Sequence, residues 1–180
     1  MHCWKTYCLN RRYDFFRRFF ISSIVAVLVF ILFYMTMQSF MDRQFNDDYL
    51  LAFILAIILL YPFHKLCHLL PIIPYYQHMK WEIEFFYLLP VVKMKVDCPV
   101  PKKRFVFALI LPFLLINGIL FASLFLFPEY GHYIAILFAF NSGMSAFDFI
   151  YIKALFSSPK NTFVEETEDG YDLLVEDEGN

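Results

Sequence analysis

Four long apolar stretches, near residues 19–40, 49–70, 105–127 and 132–156, constrain this chain more than anything else in it. About 20 apolar residues, rising about 1.5 Å each in a helix, cross a hydrocarbon core of about 30 Å. A soluble helix keeps a polar face for water, and these stretches leave almost none. Inside lipid a span must satisfy its own backbone hydrogen bonds, which selects helices here. The expected fold is an all-α membrane protein, a four-transmembrane-helix bundle in a lipid bilayer. Residues 1–156 then form one polytopic membrane domain, and 157–180 form an acidic tail. The first stretch is too long for a signal peptide, and Gln38-Ser39-Phe40 is a poor cleavage site, so it reads as a retained anchor. Pro62 and Pro112 fall within spans, where neighbouring helices can absorb the carbonyls they free.

Orientation follows from lysine and arginine near the span ends. The N-terminal segment carries five: Lys5, Arg11, Arg12, Arg17 and Arg18. The long loop at 72–104 carries six: Lys80, Lys93, Lys95, Lys102, Lys103 and Arg104. The link at 41–48 has Arg43 alone, and the turn at 128–131 has none. The positive-inside rule therefore predicts a multi-pass protein of the cell membrane with both termini and the long loop in the cytoplasm. Trp4, Tyr7, Tyr13 and Trp81 have the character of interfacial anchors, and His132 falls at the outer end of the fourth span. No basic stripe or recognition motif suggests nucleic-acid binding. The four cysteines form no CxxC pair, and free thiols are expected.

The loop and the tail carry a different period. Trp81-Glu82-Ile83-Glu84-Phe85 and Val92-Lys93-Met94-Lys95-Val96 alternate with period two, a strand signal, with Pro90 expected in their connection. Residues 162–165 and 171–175 alternate likewise around Glu168-Asp169-Gly170, and an Asp-Gly pair suits a hairpin turn. The tail is acidic and the loop strands carry lysines, so the two pairs are expected to share a small cytoplasmic sheet. The alternative for the tail is a solvated, unfolded segment.

Polar residues are costly inside a span and tend to mark function or a buried polar cluster. The second span contains His64-Lys65-Leu66-Cys67-His68, the third Asn117, and the fourth Asn141, Ser142, Ser145 and Asp148. His64 and His68, spaced i and i+4, share one helix face, a geometry that lets two imidazoles hold one metal ion. Asn141, Ser145 and Asp148, at i, i+4 and i+7, share another. Counted along the helix rise from the outer end, His64 lies about 22 Å deep and Asp148 about 24 Å. Two histidines and a carboxylate at one depth can form a three-ligand zinc site with an open fourth position. A polar cluster without metal is the competing arrangement, with Lys65 paired to Asp148 and the histidines bonded to Asn141, Ser145 or backbone carbonyls. Cys67 points off the histidine face and suits packing better than ligation.

At these residues the chain resembles the bacterial integral-membrane family described as putative zincin peptidases, a domain family of unknown function distantly similar to the site-2 intramembrane metalloproteases. In those families an H-E-x-x-H helix supplies two histidine ligands and a glutamate base, and a later transmembrane helix supplies an aspartate. His64 and His68 match the histidines, and Asp148 matches the aspartate. The resemblance implies zinc as cofactor. Lys65, however, occupies the general-base position. The glutamate accepts a proton from metal-bound water, which an ammonium does not do. The expectation is a degenerate, catalytically weak or inactive member. A non-catalytic scaffold or regulator, binding a protein partner through the cytoplasmic loop and tail, is the alternative. A small transporter subunit with Asn117, Asn141, Ser145 and Asp148 lining a polar path is a further one.

Overall fold

The computed structural model describes residues 2–7, 15–40, 45–86, 89–96, 98–159, 161–167 and 170–175. Its helices are α1 (Phe15–Phe40), α2 (Leu50–Leu69), α3 (Lys102–Leu126) and α4 (Gly131–Phe156). All four are long and apolar enough to cross a membrane. A 3-10 stretch, Leu70–His78, extends α2, and a shorter one, Pro128–Tyr130, leads into α4. Large apolar side chains such as Phe20, Leu32, Leu51, Ile58, Phe125 and Phe156 stay exposed, a surface that water does not favour.

The helices pack through small residues where their backbones come closest. A Cβ on Gly143 of α4 would meet the Ser22 carbonyl oxygen of α1 at 2.7 Å and the Ala26 Cβ at 2.9 Å. Only a glycine lets α1 approach that closely, so small residues set the α1–α4 contact. The stacked rings of Phe33 and Phe138, with centroids 4.3 Å apart, extend the same contact. At the end of the bundle away from the sheet, Asn46 N–H donates to the Glu129 carbonyl and the Tyr133 hydroxyl to the Asp47 carbonyl. Half-buried His132 stands there with Nε2 3.0 Å from Asp47 Oδ1.

The strands are β1 (His2–Tyr7), β2 (Met79–Phe86), β3 (Leu89–Val96), β4 (Val100–Pro101), β5 (Thr162–Thr167) and β6 (Gly170–Val175). Both alternating pairs form antiparallel hairpins, β2 with β3 and β5 with β6. The two hairpins do not share one sheet as charge suggested, although the tail does pair with the loop at Val100–Pro101. The loop hairpin stands as its own two-stranded sheet, while the tail hairpin joins a four-stranded one in the order β1-β6-β5-β4. The tail's partners are thus the N-terminal strand and the two residues before α3. Backbone pairing and apolar burial decide this: Val100, Val164 and Leu173 are each 1% exposed and pack with Phe105, Ala108, Leu109, Ile152 and Leu155 of α3 and α4. Lysine–carboxylate attraction at a wet surface is worth far less. Pro90 lies inside β3 opposite Phe85, not in the connection. A two-stranded sheet consists of edges, where a missing N–H is tolerated. Asp169 of the expected Asp-Gly turn lies outside the described residues.

The four-stranded sheet gathers the chain before α1, the chain before α3 and the chain after α4 at one end of the bundle. Lys102 at the start of α3 reinforces this end by donating from Nζ to the Ser158 carbonyl beyond α4 at 2.7 Å.

Candidate metal centre

His64 lies on the buried face of α2 with Leu60 and Cys67, as their spacing along the helix dictates. His68, one turn further, is partly buried. The two rings meet edge to face with centroids 4.9 Å apart. Cys67, expected to point off the histidine face, instead shares the buried face with His64; it is a free thiol packed with Leu60 and Ile116.

Asp148 reaches this pair from α4. Its Oδ2 is 3.4 Å from His64 Nε2 and 3.6 Å from His68 Nε2, and the two Nε2 atoms are 3.2 Å apart. The three ligand-capable atoms fall within 4.8 Å of one another. His68 Nδ1 faces the Ala108 carbonyl at 2.8 Å, and His64 Nδ1 faces Asn141 Oδ1 at 2.9 Å. Both partners are acceptors, so both Nδ1 atoms carry the proton and donate. In the neutral rings each Nε2 is then left with a lone pair, and the 3.2 Å contact between the two Nε2 atoms has no hydrogen of its own to share. Asp148 Oδ2 is buried and accepts no hydrogen bond among the described residues.

With both rings neutral, three lone pairs converge on one point, an arrangement that a cation, either a metal ion or a proton, stabilises. The spacing suits zinc. Atoms held about 2.0–2.1 Å from a zinc ion in tetrahedral directions stand about 3.3–3.4 Å apart, and the three observed separations run from 3.2 to 3.6 Å. The donor set, two imidazoles and one carboxylate, is one that zinc takes. The residues present fit the group.

Lys65 is half-buried and does not pair with Asp148; among the described residues the ionic partners of Asp148 are the two histidines. The side chains of Glu82 and Glu84 lie outside the described residues. Asn117 and Asn141 are buried and engaged in hydrogen bonds, Asn141 Nδ2 to Asn117 Oδ1 at 2.9 Å and Asn117 Nδ2 to Ser142 Oγ at 3.0 Å. Ser145, equally buried, makes no hydrogen bond among the described residues. Sequence reasoning grouped Ser145 with these amides; the hydroxyl that joins them is that of Ser142. Ala108 and Pro112 were missed as parts of the site. The signal available for both was a proline inside a span, which frees the carbonyl four residues earlier.

A family model described as putative zincin peptidase matches residues 57–163, more than half of the chain. The match takes in His64, His68, Asp148, Asn117 and Asn141, and leaves α1, β1 and β6 outside. No curated protein and no solved structure matches the chain.

Proposed function

Because this chain belongs to the putative zincin peptidase family, we propose that it is a membrane-embedded member that holds zinc through His64, His68 and Asp148 and has lost most or all of its hydrolytic power. The observation that carries the reading is the convergence of two Nε2 lone pairs and an otherwise unbonded carboxylate oxygen within 3.6 Å. Bound zinc in a site with an open position lowers the pKa of its water and polarises a carbonyl. Hydrolysis also needs a group that takes the proton from that water and passes it to the leaving amine. Lys65 stands where the H-E-x-x-H glutamate stands, and an ammonium group has no lone pair with which to take a proton. His64 and His68 are not free to act as bases, since each uses its remaining lone pair as a ligand.

The basic clusters around the start of α1 and in the 72–104 loop support placing the sheet end of the bundle in the cytoplasm, with both termini there and the protein in the cell membrane. A non-catalytic role of such a member is the binding of a protein partner through the cytoplasmic loop and tail. Asn117 and Asn141 support the metal centre better than a transporter path, because both amides are buried and spent on each other and on His64.

Metal analysis of detergent-purified protein tests the reading. Wild type is expected to carry about one zinc per chain, His64→Ala none, and Lys65→Glu one zinc together with peptidase activity on an unstructured substrate. A wild type purified without zinc, with the same metal content as His64→Ala, overturns it in favour of a metal-free polar cluster.

A further inference from the structure

Two imidazoles can both offer Nε2 to one cation only if both carry their proton on Nδ1. The structure fixes that choice from outside the ligand set, by two separate routes.

The first begins at the Phe138 carbonyl, which can only accept. The Ser142 hydroxyl donates its one proton there at 2.8 Å. Ser142 Oγ can then only accept from Asn117, which turns Nδ2 toward it at 3.0 Å. Asn117 Oδ1 is left facing Asn141, which must present Nδ2, at 2.9 Å. The same Nδ2 also faces the Pro112 carbonyl, 3.5 Å away. Asn141 Oδ1 is therefore turned to His64 Nδ1, at 2.9 Å. Each link has one allowed direction, so a main-chain carbonyl on α4 dictates the tautomer of a ring on α2. Asn117, Asn141 and Ser142 are all buried, which keeps water from supplying a competing donor.

The second route begins at Pro112. A proline has no N–H, so the Ala108 carbonyl, four residues earlier in α3, loses its helical partner. Ala108 is 2% exposed, and an unfilled carbonyl there is costly. His68 Nδ1 fills it at 2.8 Å.

We propose that Asn117, Asn141, Ser142 and Pro112 are positioning residues that lock His64 and His68 as Nδ1–H tautomers and so keep both Nε2 atoms available to metal, a role that rests on the zinc reading of the site. The polar amides of the third and fourth spans and the helix-interrupting proline then share one purpose. None of them touches the metal.

The test uses the full chain, labelled with 15N-histidine and purified in detergent. Metal-free wild type is expected to show both site histidines protonated on Nδ1. Asn141→Leu removes the acceptor. His64 should lose its single tautomer, and zinc affinity, measured by competition with a chelator, should fall about 10- to 100-fold. Asn141→Asp gives up the Nδ2 donor to Asn117 but keeps an acceptor toward His64 Nδ1, and should keep both the tautomer and an affinity within about tenfold of wild type. Pro112→Ala restores an N–H that competes for the Ala108 carbonyl. It should cost about tenfold in zinc affinity without lowering the melting temperature, since α3 becomes more regular. A purely structural role for the proline predicts unchanged affinity. If Asn141→Leu does not fold, Pro112→Ala decides alone. The proposal is overturned by Nε2–H tautomers in metal-free wild type, by wild-type affinity in Asn141→Leu or Pro112→Ala, or by equal damage from Asn141→Asp and Asn141→Leu. Nδ1–H tautomers in a wild type that takes up no zinc would overturn the zinc reading and leave the tautomer lock supported.

Discussion

Stripping metal from the purified protein with a chelator is expected to loosen α2 from α4. The packing shows why. α2 rests chiefly on α3, through Leu60 and Cys67 against Ile116. Toward α4 its polar links are the 2.9 Å bond from His64 to Asn141 and the approach of both histidines to Asp148. A cation at that point ties two helices that otherwise meet little, and it binds the folded chain alone. With free zinc at 100 times its dissociation constant, such a ligand adds about 2.7 kcal/mol. For a chain of this length that corresponds to roughly 5–10 °C in Tm. Circular dichroism in detergent, with zinc buffered at that excess or removed by EDTA, measures the difference. His64→Ala and Asp148→Ala should each erase it and melt at one temperature with or without zinc. A wild type whose melting ignores zinc, or a His64→Ala variant that shifts as much as wild type, would refute the reasoning.

Three further outcomes probe the rest of the fold. Gly143→Ala places a methyl 2.7 Å from the Ser22 carbonyl and should cost about 1–3 kcal/mol in unfolding measurements. Gly118→Ala, with nothing within 4 Å, should be neutral or gain up to about 1 kcal/mol; equal effects at the two glycines would deny the close α1–α4 contact. Leu173→Ala empties a side chain that is 1% exposed between sheet and helices and should cost about 2–5 kcal/mol, whereas a tail that merely trails from the membrane would show no change. Cys3 is exposed at the sheet end, so with the other cysteines replaced by alanine it should react with an impermeant maleimide in inside-out vesicles and not in intact cells. Labelling of intact cells would reverse the orientation.

What the chain determined by itself is what depends on near neighbours along it. Unbroken apolar length produced four helices, because a backbone surrounded by apolar side chains has only itself to bond with. Period-two alternation marked both hairpins, and a four-residue spacing put His64 and His68 on one face. Such signals fix the direction of a side chain and stay silent on what it meets. Tertiary structure decided the meetings: β6 beside β1 instead of the loop strands, Asp148 at the two Nε2 atoms, Ser142 in place of Ser145 at the end of the amide chain. Pro112 shows the boundary most plainly. A freed carbonyl at Ala108 follows from the sequence, because proline lacks an N–H. That His68 fills it follows only from the way α2 lies against α3, a matter of packing between elements that no local period records.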